Sequence, residues 1–424
     1  MTKTKKRVRH VALVFIIILT SLSMIEAVTP SLNSTDYFIE YQLSMVEIIT
    51  NQGTHTYHLS TDDRTISLFM NNSWQTVILT NCNFPYQKTI DADGNPIALL
   101  QTLYVKPGEF LTINATYSIY SRIAGQRKLI WSPQLTEINS GTLEDIPLTL
   151  KNAYCKPVGP WNYKQPGWGY IQRLAFQIQG DERNALKVVY RFVDWLAHNI
   201  RYPANAHEIP LYPTQTYTYQ NQLKRTKGEG DCDDQANLFV TLCRIVGIPA
   251  FTQIGCIYLP DQYKTVSVYT GHVQIVTEQL GWHGWAMVYI PPWGWIPIDL
   301  TWLIDKAGAT LSESPHWTGP NSTIIGAAVL TPNTIVFQNI TQSDYIKPSI
   351  ESITNIRRAD LYITEIQSMK AVRTGPLYSS ASLTELAPSI AILTIIAVIT
   401  VSIYLYARKK RLERTGQPIV PSYF

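Results

Sequence analysis

The run from Ala387 to Tyr406 contains no charged residue, and Arg408, Lys409, Lys410, Arg411 and Arg414 follow it at once. A helix of that length covers about 30 Å, the thickness of a bilayer's hydrocarbon core. A buried helix of a soluble domain would show one polar face over the same distance. The stretch therefore predicts a transmembrane helix over 387–406, with the tail 407–424 kept cytoplasmic by its basic cluster. Residues from Val28 to about Glu385 are then expected outside the cell. At the other end, Lys3, Lys5, Lys6, Arg7 and Arg9 precede the apolar run Val11 to Leu19 and then Ile25-Glu26-Ala27. This reads as a secretory signal peptide over 1–27, with an uncleaved N-terminal anchor as the alternative. Sequons at Asn33, Asn71, Asn114, Asn321 and Asn339 all fall in the expected exterior segment, compatible with a glycoprotein. The net charge of +4 is carried largely by the two ends, so it makes no case for nucleic-acid binding.

At 424 residues the chain is too long for one ordinary domain. Residues 30–151 are rich in Tyr, Ile, Thr and Val in short runs, separated by turn signals such as Asp93-Gly94-Asn95 and Pro107-Gly108. That pattern predicts a β-rich domain, a sandwich, with a structural or recognition role because it holds no His/Cys cluster, phosphate loop or paired acids. From Asp181 the period changes. Leu186, Val189, Val193, Leu196, Ala197 and Ile200 recur at helical spacing, and Tyr202-Pro203 ends the helix. A second helix runs into Gly247-Ile248-Pro249, a stop signal. Strands are predicted at Thr252 to Tyr258, Val266 to Val268 and His272 to Glu278. A hairpin follows, His283 to Tyr289 with Trp295 to Thr301, around Pro291-Pro292-Trp293-Gly294. The α+β unit spans 160–304. Beyond Trp302 the chain turns Ser/Thr/Pro/Gly-rich, so 305–386 reads as a partly ordered stalk with one helix over Asn355 to Met369.

Cys232 lies where a loop rich in Lys, Gly and Glu gives way to the second helix. Unpaired N–H groups and the positive end of the helix dipole favour a thiolate there, the form that attacks carbonyl carbon. His283 as base and Asp299 as its orienting acceptor complete a nucleophilic constellation. The two pair directly across the hairpin if the strands are 283–288 and 294–299; an even-numbered loop would send them to opposite faces. His272 is the rival base, and His198 reads as solvated. Asp231 reads as the helix cap, and Asp233 and Asp234 as acids of the kind a first turn favours. The oxyanion donors would be the Cys232 N–H and a second group, Tyr202 or a Trp or Gln upstream. Among the other cysteines, Cys243 with Cys256 and Cys82 with Cys155 are the expected disulfides, with Cys243 as a plain core residue the alternative. Too few ligands stand at usable spacing for zinc, and no cofactor or metal is expected.

Gly230-Asp231-Cys232-Asp233-Asp234, Leu238-Phe239, Leu242-Cys243-Arg244, Gly247-Ile248-Pro249-Ala250, His283-Gly284-Trp285 and Gly294-Trp295-Ile296-Pro297-Ile298-Asp299-Leu300-Thr301 together resemble the transglutaminase-like superfamily of papain-type thiol enzymes. The likeness covers roughly Ala185 to Trp302. It implies Cys232 as nucleophile, His283 as general base and acid, and Asp299 as orienter, on a papain-like α+β fold. Gly284 replaces the alanine often seen in that family, Met287 stands for a common acid, and Leu300 for a common proline. The expected activity is amide hydrolysis of a peptide or protein through a thioester. Protein-glutamine acyl transfer, or a catalytically silent ectodomain that binds peptides or cell-surface partners, are the alternatives.

Overall fold

Residues 37–123, 136–203, 207–223, 228–301 and 331–376 are described by the computed structural model. The first described stretch carries β1 (Tyr37–Asn51), β2 (Tyr57–His58), β3 (Thr65–Ser67), β4 (Gln75–Cys82), β5 (Tyr86–Ile90), β6 (Pro96–Leu100), β7 (Tyr104–Val105) and β8 (Phe110–Arg122). Strict alternation makes β8 a strand: Ile113, Ala115, Tyr117 and Ile119 all point inward and are buried. Helices α1 (Leu148–Tyr154), α2 (Gly169–Gln179) and α3 (Ala185–Asn199) follow, then β9 (Ile200–Arg201), α4 (Pro213–Leu223), β10 (Gly228–Glu229) and α5 (Cys232–Ile245). The remainder is β11 (Ala250–Val268), β12 (Val273–Ile290), β13 (Gly294–Ile298), β14 (Thr334–Ile340), α6 (Ile346–Arg358) and β15 (Leu361–Pro376).

Helix α3 shows how closely the local rules are followed. Asn184 caps it by accepting from the Lys187 N–H at 3.0 Å, and its Leu186, Val189, Phe192, Val193 and Leu196 are buried. Helix α5 stops as its sequence predicts. Gly247 takes φ 81°, and the N–H groups of Gly247 and Ile248 donate to the carbonyls of Arg244 and Cys243 at 3.2 and 2.9 Å, the Schellman arrangement.

The expected independent sandwich over 30–151 gives way to a shared sheet. The eight-stranded sheet runs β14-β11-β12-β15-β1-β8-β4, with β13 paired to β12 outside that path. Strand β15 joins the halves, lying parallel to β12 with Val273 opposite Ile363 and next to β1. Strands β3, β6 and β5 form a separate small sheet, tied down where the Tyr117 hydroxyl donates to the Ser67 carbonyl at 2.8 Å. Residues 38–374 accordingly make one compact unit. The stalk expectation also fails for 334–376, which forms β14, α6 and β15. Ile335, Val336, Ile340, Ile353, Ile356, Leu361 and Met369 there are buried, and their burial holds the segment against the body of the fold.

One core packs α2, α3 and α5 against Ala286, Val288, Ile290, Ile296 and Ile298 of the β12–β13 hairpin. At the end of α5, Arg244 is 1 % exposed. It donates to the carbonyls of Ala250, Lys156 and Thr341 at 2.8, 3.2 and 2.8 Å, and its guanidinium lies 4.0 Å from the centroid of the Trp161 ring. No helix among the described residues is long and apolar enough to cross a membrane. The expected leader over 1–27, the span 387–406 and the tail 407–424 lie outside the described residues, as do Asn33 and Asn321.

Candidate functional site

The start of α5 gathers charged and polar groups that are withdrawn from water. Asp231 is the N-cap of a capping box completed by Asp234, and Cys232 is the first helical residue. The loop before α4 folds over this end. His207 Nδ1 meets Asp234 Oδ2 at 2.6 Å, the His207 N–H donates to Asp231 Oδ2 at 3.0 Å, and the Leu211 N–H donates to Asp234 Oδ1 at 2.6 Å. Asp231 and Asp234 are buried. Burial, together with the neighbouring acid charges, pushes the Asp231 carboxyl up to about 6 and that of Asp233 up to about 7. Asp231 thus takes the expected cap position, and the first-turn acids are withdrawn from water as well.

On the hairpin, His283 Nε2 lies 2.7 Å from Asp299 Oδ2, and Asp299 is steadied by the Thr301 N–H at 3.2 Å to Oδ1. The register differs from the expected one. Val288 faces Ile296 and Ile290 faces Gly294, a displacement of two residues. Continued past Ile298, this ladder puts Asp299 opposite Trp285, diagonal to His283. A displacement of two keeps both side chains on one face, so the pair survives the change. Trp285 is buried beneath, its ring centroid 5.9 Å from that of His283; it forms a floor, with Nε1–H donating to Gln253 Oε1 at 3.0 Å.

Helix and hairpin meet at Gly284. A Cβ there would stand 3.0 Å from Asp233 Cβ, so a glycine lets the strand approach the helix start this closely. The Gly284 N–H in turn donates to the Cys232 sulfur. Cys232 is half-buried, and its Sγ and a carboxylate oxygen of each of Asp231 and Asp233 lie within 4.8 Å of one another. Burial first, then the charges of Asp233 and Asp231, raise the thiol well above the ordinary cysteine range, against the pull of the Gly284 N–H. The same helix start that favours a thiolate therefore also holds the groups that oppose it. Tyr202 is raised by burial first and next by charge on Cys232, which puts its phenol within the electrostatic reach of the sulfur.

The rival histidines go elsewhere. His272 Nδ1 bonds the Leu361 carbonyl at 2.8 Å, and ten strand residues separate it from His283, on the order of 30 Å of chain. His198 is exposed beside Asp194. All five cysteines are free thiols: Cys243 belongs to the helical core and Cys256 to a different core around Tyr41, Tyr117 and Ile335, which keeps that expected pair apart. Two groups the sequence did not single out complete the site, His207 and Tyr345. Both sit just outside regular elements, where no periodic signal marks them. Donor atoms of His207, Asp231 and Asp234 lie within 4.8 Å of one another, a spacing compatible with a cation; His207 and Asp234 are bonded directly to each other.

A family model for the transglutaminase-like superfamily matches residues 172–300. No curated protein matches the chain. Among solved structures, a candidate cysteine protease from Cytophaga hutchinsonii is 13% identical, with 81% of this chain and 94% of that one covered at a TM-score of 0.40. A transglutaminase of red sea bream is 13% identical, covering 64% of this chain and 47% of that one at a TM-score of 0.23. A candidate protease from Parabacteroides distasonis is 10% identical, covering 72% and 68% at a TM-score of 0.21. The stretch 172–300, which holds the cysteine helix, the histidine strand and the aspartate that follows the hairpin, is a strand-rich transglutaminase-like domain of mixed α/β build.

Proposed function

We propose that this chain is a thiol enzyme that cleaves amide bonds of peptides or proteins, with Cys232 as nucleophile, His283 as base and acid, and Asp299 as orienter. The observation that carries the reading is the 2.7 Å contact between His283 Nε2 and Asp299 Oδ2, on the strand whose next N–H donates to the Cys232 sulfur. With Nε2–H given to Asp299, the neutral ring keeps its lone pair on Nδ1, the nitrogen that takes the thiol proton. Proton transfer from the thiol to His283 accompanies attack. Sγ bonds to the carbonyl carbon, and the oxyanion is held by the Cys232 N–H at the helix start and the Tyr202 hydroxyl. His283 then returns the proton to the departing amine, leaving a thioester. Water, deprotonated by His283, releases the acid and restores the thiol.

Hydrolysis is the proposed outcome because water needs no second binding site, whereas transfer to an amine needs water kept out. The same proposal places the domain outside the cell, behind a cleaved leader and in front of the 387–406 anchor. Incubating the full chain with a peptide library, with and without a primary amine, and reading products by mass spectrometry tests it. Free carboxyl products that disappear in Cys232→Ser are expected. Amine adducts would turn the reading to acyl transfer, and unchanged peptides would overturn it in favour of a binding ectodomain.

A further inference from the structure

A hydrogen-bond chain of fixed direction joins the start of α5 to the segment that follows the transglutaminase-like domain. The Thr252 hydroxyl donates to Asn237 Oδ1 at 2.9 Å, which orients the amide so that Nδ2–H donates to the Tyr345 hydroxyl at 2.6 Å. A phenol has one proton. With its oxygen already accepting, that proton goes to Asp233 Oδ2 at 2.9 Å. Tyr345 stands just before α6, and its neighbour Asp344 is held by the Tyr212 hydroxyl at 2.9 Å.

A carboxylate oxygen of Asp233 and one of Asp231 lie within 4.8 Å of each other and of the Cys232 sulfur. Asp231 Oδ2 accepts from the His207 N–H, while Oδ1 is buried and meets no N–H or hydroxyl donor. Two facing carboxyls bond only through a proton held between them. Tyr345 occupies Oδ2 of Asp233, which leaves Oδ1 to carry an acid proton. The pair then carries one negative charge beside Cys232 until that proton leaves, and two thereafter.

We propose that Tyr345 is a positioning residue for Cys232: its O–H decides which oxygen of Asp233 holds the acid proton, and so sets the pH at which the carboxyl pair flanking the thiol takes its second negative charge. This rests on Cys232 being the reacting thiol. The other groups facing the pair are Asp234, paired with His207, the Tyr202 phenol, and Asp299, paired with His283. Asp233 itself is raised to about 7, with the Tyr345 bond opposing the rise. Losing that bond therefore lets Asp233 keep its proton to higher pH.

The test is the rate of Cys232 alkylation by iodoacetamide in the full chain between about pH 5 and pH 9, followed on the Cys232 peptide by mass spectrometry. The wild type is expected to show a break near pH 7 where the second charge appears. Tyr345→Phe should move the break upward by about half a pH unit or more, Asp233→Asn should abolish it, and the double variant should match Asp233→Asn. A Tyr345→Phe profile that superimposes on the wild type, or a shift that persists in the Asp233→Asn background, overturns the proposal. If Tyr345→Phe does not fold, Asp233→Asn decides alone: loss of the break supports the proposal and its persistence overturns it. Alkylation needs no amide substrate, so a shifted break in a chain that cleaves no amide would sink the functional reading and leave this inference standing.

Discussion

The two ends of α5 solve the same problem, charge taken out of water, in opposite ways. At the end, Arg244 is satisfied by three backbone carbonyls and the face of Trp161. Its charge has fixed partners. At the start, Asp231, Asp233 and Asp234 are held by borrowed N–H groups, by His207 and by Tyr345. That arrangement changes state in the ordinary pH range. A single helix therefore has a rigid end that anchors it and an adjustable end that carries the thiol, and the segment 331–376 holds both, through Thr341 and Tyr345.

The largest expected effect is confined to the adjustable end. Cys232→Ala should lower amide turnover by about 10⁴-fold or more while leaving the melting temperature nearly unchanged; retained turnover would show that the thiol end is not the reactive one. Arg244→Met should do the reverse. Three carbonyls lose their donor in a buried site, so urea denaturation should show a loss of about 3–5 kcal/mol, with turnover per folded molecule retained. Gly284→Val probes the meeting of hairpin and helix. Its added side chain starts 3.0 Å from Asp233 Cβ, and the strand must withdraw from the sulfur, so turnover should fall about 10²-fold with a stability loss of about 1–3 kcal/mol.

The smallest expected effect is a slope. Asp233 has an ordinary value of 3.8 and is raised to about 7 in the fold. Between those values the native state binds more protons than the unfolded one, so its stability falls as pH rises through that window and levels off above it. Asp233→Asn should flatten the fall by about 1.4 kcal/mol per pH unit within that window, measured by chemical denaturation at several pH values. An unchanged slope would mean that the acids at the helix start are as fixed as Arg244.

The placement of Cys232 at a helix start and of His283 beside Asp299 was legible because each rests on a local pattern: a helix start, and alternation along a hairpin. The hairpin register was off by two residues, which alternation cannot detect because both registers put the same side chains on one face. Long-range pairing left no local mark. Strand β15 bridges β12 to β1, so residues 30–151 looked like a separate sandwich and 334–376 like a stalk, although β1, β4 and β8 share one sheet with β14 and β15. The acids at positions 231, 233 and 234 carried the right residue types for a helix start, but their burial by the loop bearing His207 and by Tyr345 is set by tertiary contact. That burial opposes the thiolate that the helix start favours.

The central claim is that Cys232 attacks carbonyl carbon with His283 as its base. Acid-quenched intact-mass analysis of the full chain, taken within seconds of mixing with an activated acyl ester, tests it most directly. One acyl group per chain, mapped to the peptide containing Cys232 and formed far more slowly in His283→Asn, is the predicted result. An acyl group on another residue, or one that forms on Cys232 just as fast without His283, would contradict it.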